Sequence, residues 1–446
     1  MQKIFLLNCL LIITSACKQL KVGYMLSLTI ETTSDWTSIE FIKNKPICLE
    51  FNIRSLKNDK FNCRPFKITK QPYDSSLVIA DHLLFIPEDR NIRDTIIIRK
   101  GDIGYTKVWI KAIKGSTGLF LLNDKNIPGD SRNLMKFIIS YKNFEKVNIE
   151  EYLQSHPASV TPLVFAFYYP WYKTWFRFNK QITLHTPKIG FYNSADTTVI
   201  KSHIQFAKYA GIDCFIISWF GIESFTDSVA QIMIPLLEKN QMKFVIYLEK
   251  CDSLAQFIKI KRYLSQHFFH SSAYLHFENK PVLFIYSRVP KKLRNELIPL
   301  VAADDLFIIN YGSDYIELNR TDGIHIYRPT LAINELDSIN QLSSLLAHYH
   351  KKVFVATVYP GFDNRPSRFP GVKGKFVDRE GGRLYRKTWE SALRSNADWI
   401  AIISFNEWGE ATEIEPSVEL DNQYLKITKE YSIKFKRRGG GFRSRL

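Results

Sequence analysis

The 446-residue sequence predicts an α/β protein: a (β/α)₈ barrel preceded by a small all-β domain of immunoglobulin-like sandwich type. Three observations carry that expectation. From about Leu163 onward, eight apolar runs rich in β-branched and aromatic residues recur, with helical patterning between most of them. Near-continuous apolar strands alternating with helices indicate a parallel sheet buried on both faces. Eight such runs in roughly 270 residues match the count and size of a closed (β/α)₈ barrel. Before residue 155 long helical periodicity is missing, and short β-rich runs alternate with turn residues, as in antiparallel sandwiches.

Taken in order, the chain begins with a processing segment. Lys3 supplies a small basic region, and Ile4 to Ile13 is an apolar run interrupted by Asn8. The run is too short to span a bilayer comfortably and has the layout of a secretory signal. Thr14-Ser15-Ala16-Cys17 follows, small residues ending at a cysteine, as in the lipobox of bacterial lipoproteins. Residues 1–16 are therefore read as a signal peptide and Cys17 as the lipidated first mature residue. An ordinary signal with a chance cysteine is the alternative. The expected location is the bacterial cell envelope, exported and lipid-anchored, in the periplasm or at the cell surface.

Residues 21–155 offer short strands at Ile47–Ile53, Ser76–Ile79, Leu83–Ile86, Asp94–Ile98, Thr106–Ala112, Leu119–Leu122 and Leu134–Tyr141. A sandwich or a closed barrel would accommodate them, and nothing here gathers catalytic residue types. The barrel is expected over 160–433, with strands at Leu163–Tyr168, Cys214–Trp219, Phe244–Leu248, Val282–Tyr286, Leu306–Asn310, Gly323–Tyr327, Val353–Val358 and Trp399–Ser404. Thr197–Tyr209, Ser228–Lys239, Leu254–Gln266, Ile333–His350 and Tyr385–Ser395 carry helical patterning. A doubly wound open sheet is disfavoured, because no strand is followed by a glycine-rich phosphate loop. Residues 434–446 read as a basic tail.

Composition narrows the function classes. With 45% hydrophobic residues the chain can bury a large core, which excludes global disorder. The formal charge is +17, from 61 basic and 44 acidic residues. No helix-turn-helix, zinc-finger or RNP pattern accompanies it, so nucleic acid is not the expected partner. An anionic membrane surface or acidic polysaccharide suits an exported protein better. Cys214 reads as a core residue, Cys48 and Cys63 could pair, and no His/Cys cluster has metal spacing. No metal or organic cofactor is expected.

In a barrel of this kind chemistry collects past the C-terminal ends of the strands. Those exits carry Tyr168, Tyr169 and Trp171; Trp219; Glu249; Tyr286 and Arg288; Tyr311 and Asp314; Tyr327 and Arg328; Tyr359 and Asp363; then Asn406, Glu407, Trp408 and Glu410. Aromatic faces pack on the C–H faces of sugars, while carboxylates and amides bond hydroxyls. Paired carboxyls also supply the acid and base of glycosidic cleavage. Glu407 and Glu410 are the candidate pair. Glu413 and Glu415 extend the acidic cluster and read as structural, capping the next helix or pairing with Arg383 or Arg386.

Phe167-Tyr168-Tyr169-Pro170-Trp171-Tyr172, the Gly211-Ile212-Asp213 to Trp219 strand, Tyr359-Pro360-Gly361-Phe362-Asp363 and the run Ser404–Pro416 (SFNEWGEATEIEP) resemble glycoside hydrolase family 99, the endo-α-mannosidases and endo-α-1,2-mannanases. The resemblance spans roughly 160 to 430. It implies retention through a 1,2-anhydro sugar, with Glu407 the base toward the substrate's 2-hydroxyl and Glu410 the acid/base. It implies sugar contacts at Trp219, Glu249 and Tyr327, with Tyr168 or Tyr169 lining the same subsite. Trp171, Asn406 and Trp408 complete the expected substrate-binding set. The acid/base role calls for a raised pKa at Glu410 and an ionised Glu407. The chain departs from the best-known members at Gly409, where they carry His, and at Ala411-Thr412-Glu413, where they carry Gly-Thr-Gln. The missing imidazole bears on the leaving-group side.

The expected activity is hydrolysis of α-mannoside-like linkages in a glycan or polysaccharide. A carbohydrate-binding lipoprotein without catalysis is one rival, although a binder has no need of two carboxylates at a reacting centre. A transglycosylase or transferase-associated role in polysaccharide assembly is the other.

Overall fold

The computed structural model describes the strands between Val22 and Asn148, and then residues 160–173, 183–312, 321–349, 351–367 and 373–438. The expected signal peptide with Cys17 lies outside the described residues, as do Asp314 and the side chains of Cys48 and Cys63. The chain divides into two compact units, residues 1–155 and 156–446.

The described residues of the first unit form eleven strands in two antiparallel sheets. One sheet orders Ile47–Ser55, Val78–Pro87, Val22–Thr32, Thr106–Ala112 and Thr117–Leu122, with Val147–Asn148 pairing on Val22–Thr32. The other orders Leu134–Ser140, Arg93–Lys100, Trp36–Phe41, Lys67–Thr69 and Asn62–Arg64. Alternation explains the first long strand: Leu26, Leu28 and Ile30 are buried while Ser27, Thr29 and Glu31 are partly exposed, the period of two that one covered face imposes. Two runs read as separate strands, Ser76–Ile79 and Leu83–Ile86, meet in one continuous strand, Val78–Pro87, because the polar Asp81 and His82 are tolerated within it; Ser76 and Leu77 lie outside the described residues. Val22–Thr32 and Trp36–Phe41 were not anticipated, since polar residues dilute their apolar pattern.

The second unit is a closed parallel barrel. Its strands are β1 (Leu163–Tyr168), β2 (Cys214–Trp219), β3 (Lys243–Leu248), β4 (Lys280–Ile285), β5 (Phe307–Tyr311), β6 (Gly323–His325), β7 (Val353–Val358) and β8 (Trp399–Ile402). Each pairs in parallel with the next, and β8 pairs with both β7 and β1, closing the ring. That closure rules out the open doubly wound sheet. The helices between and after them are α1 (Thr197–Ala210), α2 (Phe225–Lys239), α3 (Leu254–His267), α4 (Ile298–Ala302), α5 (Ile333–Tyr349), α6 (Arg383–Arg394) and α7 (Gln423–Arg438). No described helix is long and apolar enough to cross a membrane.

Local chemistry sets the boundaries. Asp196, Ser224 and Ser253 each accept a backbone N–H of the helix they precede, satisfying donors a helix start leaves bare. Gly211 ends α1 at φ +75°, and a Cβ there would stand 2.4 Å from Ser432 Oγ on α7. Only glycine allows both that turn and that approach. The basic tail expected from Lys434 instead begins inside α7: Lys434 pairs with Glu430 one turn earlier and Lys436 with Asp213.

Strand alternation stacks the barrel interior in layers. Phe165 lies near Phe284 and Trp399, with ring centroids 5.7 and 5.2 Å away. Above it Phe167 meets Tyr247 and His325 at 5.1 and 6.0 Å. The next inward positions form the mouth.

Candidate active site

Side-chain parity decides what reaches the mouth. On β1, Phe167 points inward, Tyr168 outward and Tyr169 inward, because successive side chains of a strand face opposite sides. Tyr168 is buried among the helices and hydrogen-bonds His203 Nδ1 on α1 at 3.0 Å. Tyr169 faces the cleft, where its hydroxyl donates to Tyr327 Oη at 2.6 Å. The same rule runs along β2: Ser218 points in and bonds Glu249 Oε1 at 2.7 Å, Trp219 points out, and Phe220 points in. Trp219 is fully buried, donates its indole N–H to Asp227 on α2 at 2.9 Å and stacks over Tyr263 of α3. On β3, Tyr247 and Glu249 point in.

The cleft gathers Tyr169, Trp171, Phe220, Tyr247, Glu249, Tyr286, Arg288, Tyr327, Glu407 and Glu410. The structure therefore brings Tyr169, Trp171, Glu249, Tyr327, Glu407 and Glu410 together, and places Tyr168, Trp219, Asn406 and Trp408 behind the wall. Phe220 and Tyr247 were missed by sequence reasoning, although the period of two along β2 and β3 points to both. Of the paired phenols, burial is the main reason the Tyr327 hydroxyl is held above its ordinary range, with Glu410 and Glu407 adding to it.

The loop after β8 is tied from beneath. Asn406 accepts the Tyr169 N–H at 2.7 Å and donates to the Tyr169 carbonyl at 3.1 Å and to Tyr192 Oη at 3.3 Å. Tyr172 Oη donates to the Asn406 carbonyl and accepts the Trp408 N–H. Trp408 packs against Tyr172 and Tyr192, and its indole N–H reaches Glu415 at 3.1 Å. Glu415 also accepts from Tyr192 Oη at 2.7 Å and bonds His203 Nε2 at 3.0 Å. Asn406 and Trp408 thus position the loop rather than face the cavity.

Glu413 and Glu415 are structural, with partners other than those expected. Glu413 meets Arg379 Nη2 at 2.7 Å and His185 Nδ1 at 2.6 Å. Arg383 and Arg386 instead pair with Glu380 and Glu430. The polar loop at 378–383 reaches the site from behind through Arg379, which also donates to the carbonyls of Ala411 and Glu413. Asp363, expected at the exit of β7, is clamped by Arg365, which holds its carboxyl below the usual range.

Gly409 tightens the loop. Its N–H donates to Glu407 Oε1 at 3.0 Å and its carbonyl accepts from Ser367 Oγ at 2.6 Å. A Cβ at this position would stand 3.1 Å from Glu407 Oε1, so a side chain there requires the carboxylate to give by a few tenths of an ångström.

Electrostatically the mouth is a carboxylate trio. Burial chiefly, then the charge of Glu410, raises Glu407 well above the ordinary carboxyl range, against the lowering effect of the Gly409 N–H. The expectation of an ionised Glu407 runs against this environment, which pushes its carboxyl toward the protonated form. Burial raises Glu249 to about 7, opposed by the Ser218 hydrogen bond and by Arg288. A carboxyl raised in the folded state binds its proton more tightly than in the unfolded chain, so stability falls as pH climbs from about 4.5 to about 7. The loss amounts to about 3 kcal/mol above that window. Glu249→Gln should therefore gain in Tm over the parent at pH 8 and not at pH 4. An equal difference at both values would contradict this environment. Among the described residues, no group of three His, Cys, Asp or Glu is arranged to hold a metal ion.

A closed barrel whose C-terminal mouth joins three carboxylates to aromatic walls is the architecture of a barrel enzyme with its site in the usual place. The glycosyl hydrolase family 99 model matches residues 174–434, and the chain belongs to that family. It is 25% identical over 296 residues to the glycoprotein endo-α-1,2-mannosidase of Mus musculus, covering 56% of this chain and 63% of that protein. Against the endo-α-1,2-mannosidase-like protein of Danio rerio identity is 23%, over 56% of this chain and 66% of the other. The chain thus spans less than two thirds of the length of these relatives. Among solved structures, a family 99 endo-α-mannosidase from Bacteroides thetaiotaomicron superposes with a TM-score of 0.56 at 23% identity. The match covers 62% of this chain and 98% of that one, and it shows a shared fold.

Proposed function

We propose that this protein is a glycosidase that cleaves α-mannoside linkages within a glycan, with retention, through a 1,2-anhydro sugar. The observation that carries the reading is the meeting of Glu407, Glu410 and Glu249 with Tyr169 and Tyr327 in one cleft of a family 99 barrel. Two neighbouring carboxyls cannot both ionise cheaply, so the Glu407–Glu410 pair retains a proton. A bound sugar settles its position. Glu407, steadied by the Gly409 N–H, takes the proton of the 2-hydroxyl as that oxygen attacks the anomeric carbon. Glu410 delivers its proton to the departing glycosidic oxygen, then removes one from the water that opens the anhydro ring while Glu407 returns its proton to the released 2-oxygen. Atoms and charges balance with water as the one co-reactant. Glu249 and the Tyr169–Tyr327 pair hold the sugar's hydroxyls, and Trp171 and Phe220 supply ring faces.

The test is turnover on α-mannans and mannose-containing oligosaccharides, with product sizing and the anomer of the first product read by NMR. Release of oligosaccharides with retained configuration is expected. Tight binding without turnover on every α-mannoside would make the protein a lectin-like barrel.

For the rest of the chain, we read the N-terminal sheets as an immunoglobulin-like accessory module and residues 1–17 as a lipoprotein signal ending at Cys17. Cys17→Ser should move the protein from the membrane fraction to the soluble or unprocessed one. Unchanged membrane association after a salt wash would contradict the anchor.

A further inference from the structure

The cleft lining carries charges of both signs. Glu249, Glu407 and Glu410 share it with Arg288, which follows β4 and is exposed to solvent. Its guanidinium lies over the Tyr286 ring, 5.5 Å from the centroid. Tyr286 makes an edge contact with Tyr311, whose hydroxyl accepts from Arg328 Nε at 3.2 Å. Among the described residues, neither Arg288 nor Arg328 has a carboxylate within ion-pair distance, whereas Arg379 and Lys436 hold Glu413 and Asp213. The charge of Arg288 offsets part of the burial that raises Glu249, without an ion pair between the two.

We propose that Arg288, supported by Arg328, forms a subsite for an anionic substituent on the glycan, a carboxylate, sulfate or phosphate ester. A guanidinium braced on aromatic rings is weakly hydrated and offers a planar fork of donors that matches such oxyanions. A neutral sugar brings no counter-charge to it. This reading deepens the glycosidase assignment and rests on it for the sugar that carries the anion.

Calorimetry with a thio-linked methyl α-mannobioside, and with the same molecule carrying one sulfate or one uronic acid, tests the subsite without turnover. The acidic ligands should bind about 10–100-fold tighter at low salt, the scale of charge-assisted hydrogen bonds, and the preference should shrink as salt is raised. In Arg288→Met the acidic-to-neutral ratio should fall toward one, and in Arg328→Met it should fall part of the way. Equal binding of acidic and neutral ligands by the parent protein would overturn the proposal. So would an Arg288→Met variant that weakens both alike, the mark of a hydroxyl contact. If no mannobioside binds, the glycosidase reading fails by itself. The subsite then stands if a uronic-acid oligomer binds in an Arg288-dependent way, and falls if none does.

Discussion

Glu407→Gln is expected to lower turnover on every substrate by about 10²–10⁴-fold, the contribution typical of a positioned general base. The amide cannot accept the 2-hydroxyl proton, yet it fills the same space and still accepts the Gly409 N–H through its oxygen. Stability should move the other way. Burial and Glu410 raise the Glu407 carboxyl, so holding it ionised costs the folded state energy at neutral pH. Replacing it by a neutral amide should raise Tm at pH 8. Loss of rate together with a gain in Tm separates a chemical role from a folding one. Glu410→Gln should be as damaging with poor leaving groups, but far less so for bond cleavage with an activated aryl leaving group that needs little protonation. An aryl mannoside that suffers equally from both substitutions would contradict the division of roles.

Arg379→Met should be among the most destabilising single substitutions in the barrel. Its Nη2 holds the Glu413 carboxylate at 2.7 Å and the carbonyls of Ala411 and Glu413 at 2.9 and 3.0 Å. Glu413 has 2% of its surface exposed, so removing the guanidinium leaves a buried charge with His185 as its remaining ionic partner. Breaking a buried pair from one side costs about 3–5 kcal/mol. Because the same contacts fix the backbone just after Glu410, kcat should fall as well. Urea unfolding measures the first effect. A loss under about 1 kcal/mol would show that water or His185 compensates, and that the clamp matters less than its geometry suggests. The double change Arg379→Met with Glu413→Gln should recover part of the stability, since it leaves no bare carboxylate behind.

Period and composition were enough to announce the barrel. Eight apolar runs at regular intervals leave a parallel sheet covered on both faces as their economical arrangement, and the observed β1 and β2 coincide with the runs read at Leu163–Tyr168 and Cys214–Trp219. Edges were harder to read. β6 stops at His325, two residues before the run's aromatic end, and β8 stops at Ile402, because at the mouth side chains and loops take over the hydrogen bonding. In the first unit the polar residues of Val22–Thr32 hid a long strand whose alternate positions are buried.

Within the site, residue types were legible and directions were not. The pair Tyr168–Tyr169 and the pair Trp219–Phe220 look equivalent as text. In the barrel one member of each faces the cleft and the other the helices, because adjacent side chains on a strand diverge by half a turn. Glu413 and Glu415 read as structural in the sequence, but their partners, His185, His203 and Arg379, came only from the fold.

By itself, then, the sequence determined the parallel barrel, the position of the mouth and the acidic-aromatic content of the loop from Asn406 to Glu410, since all three follow from local period and from strand ends. Tertiary structure alone decided which aromatic of each neighbouring pair lines the cavity. It also decided which groups clamp Glu413 and Glu415 from behind, and that Glu407 carries a burial cost. Desolvation and charge proximity are properties of groups brought together by ring closure, and residues separated by more than 200 positions, such as His203 and Glu415, meet only when β8 closes on β1.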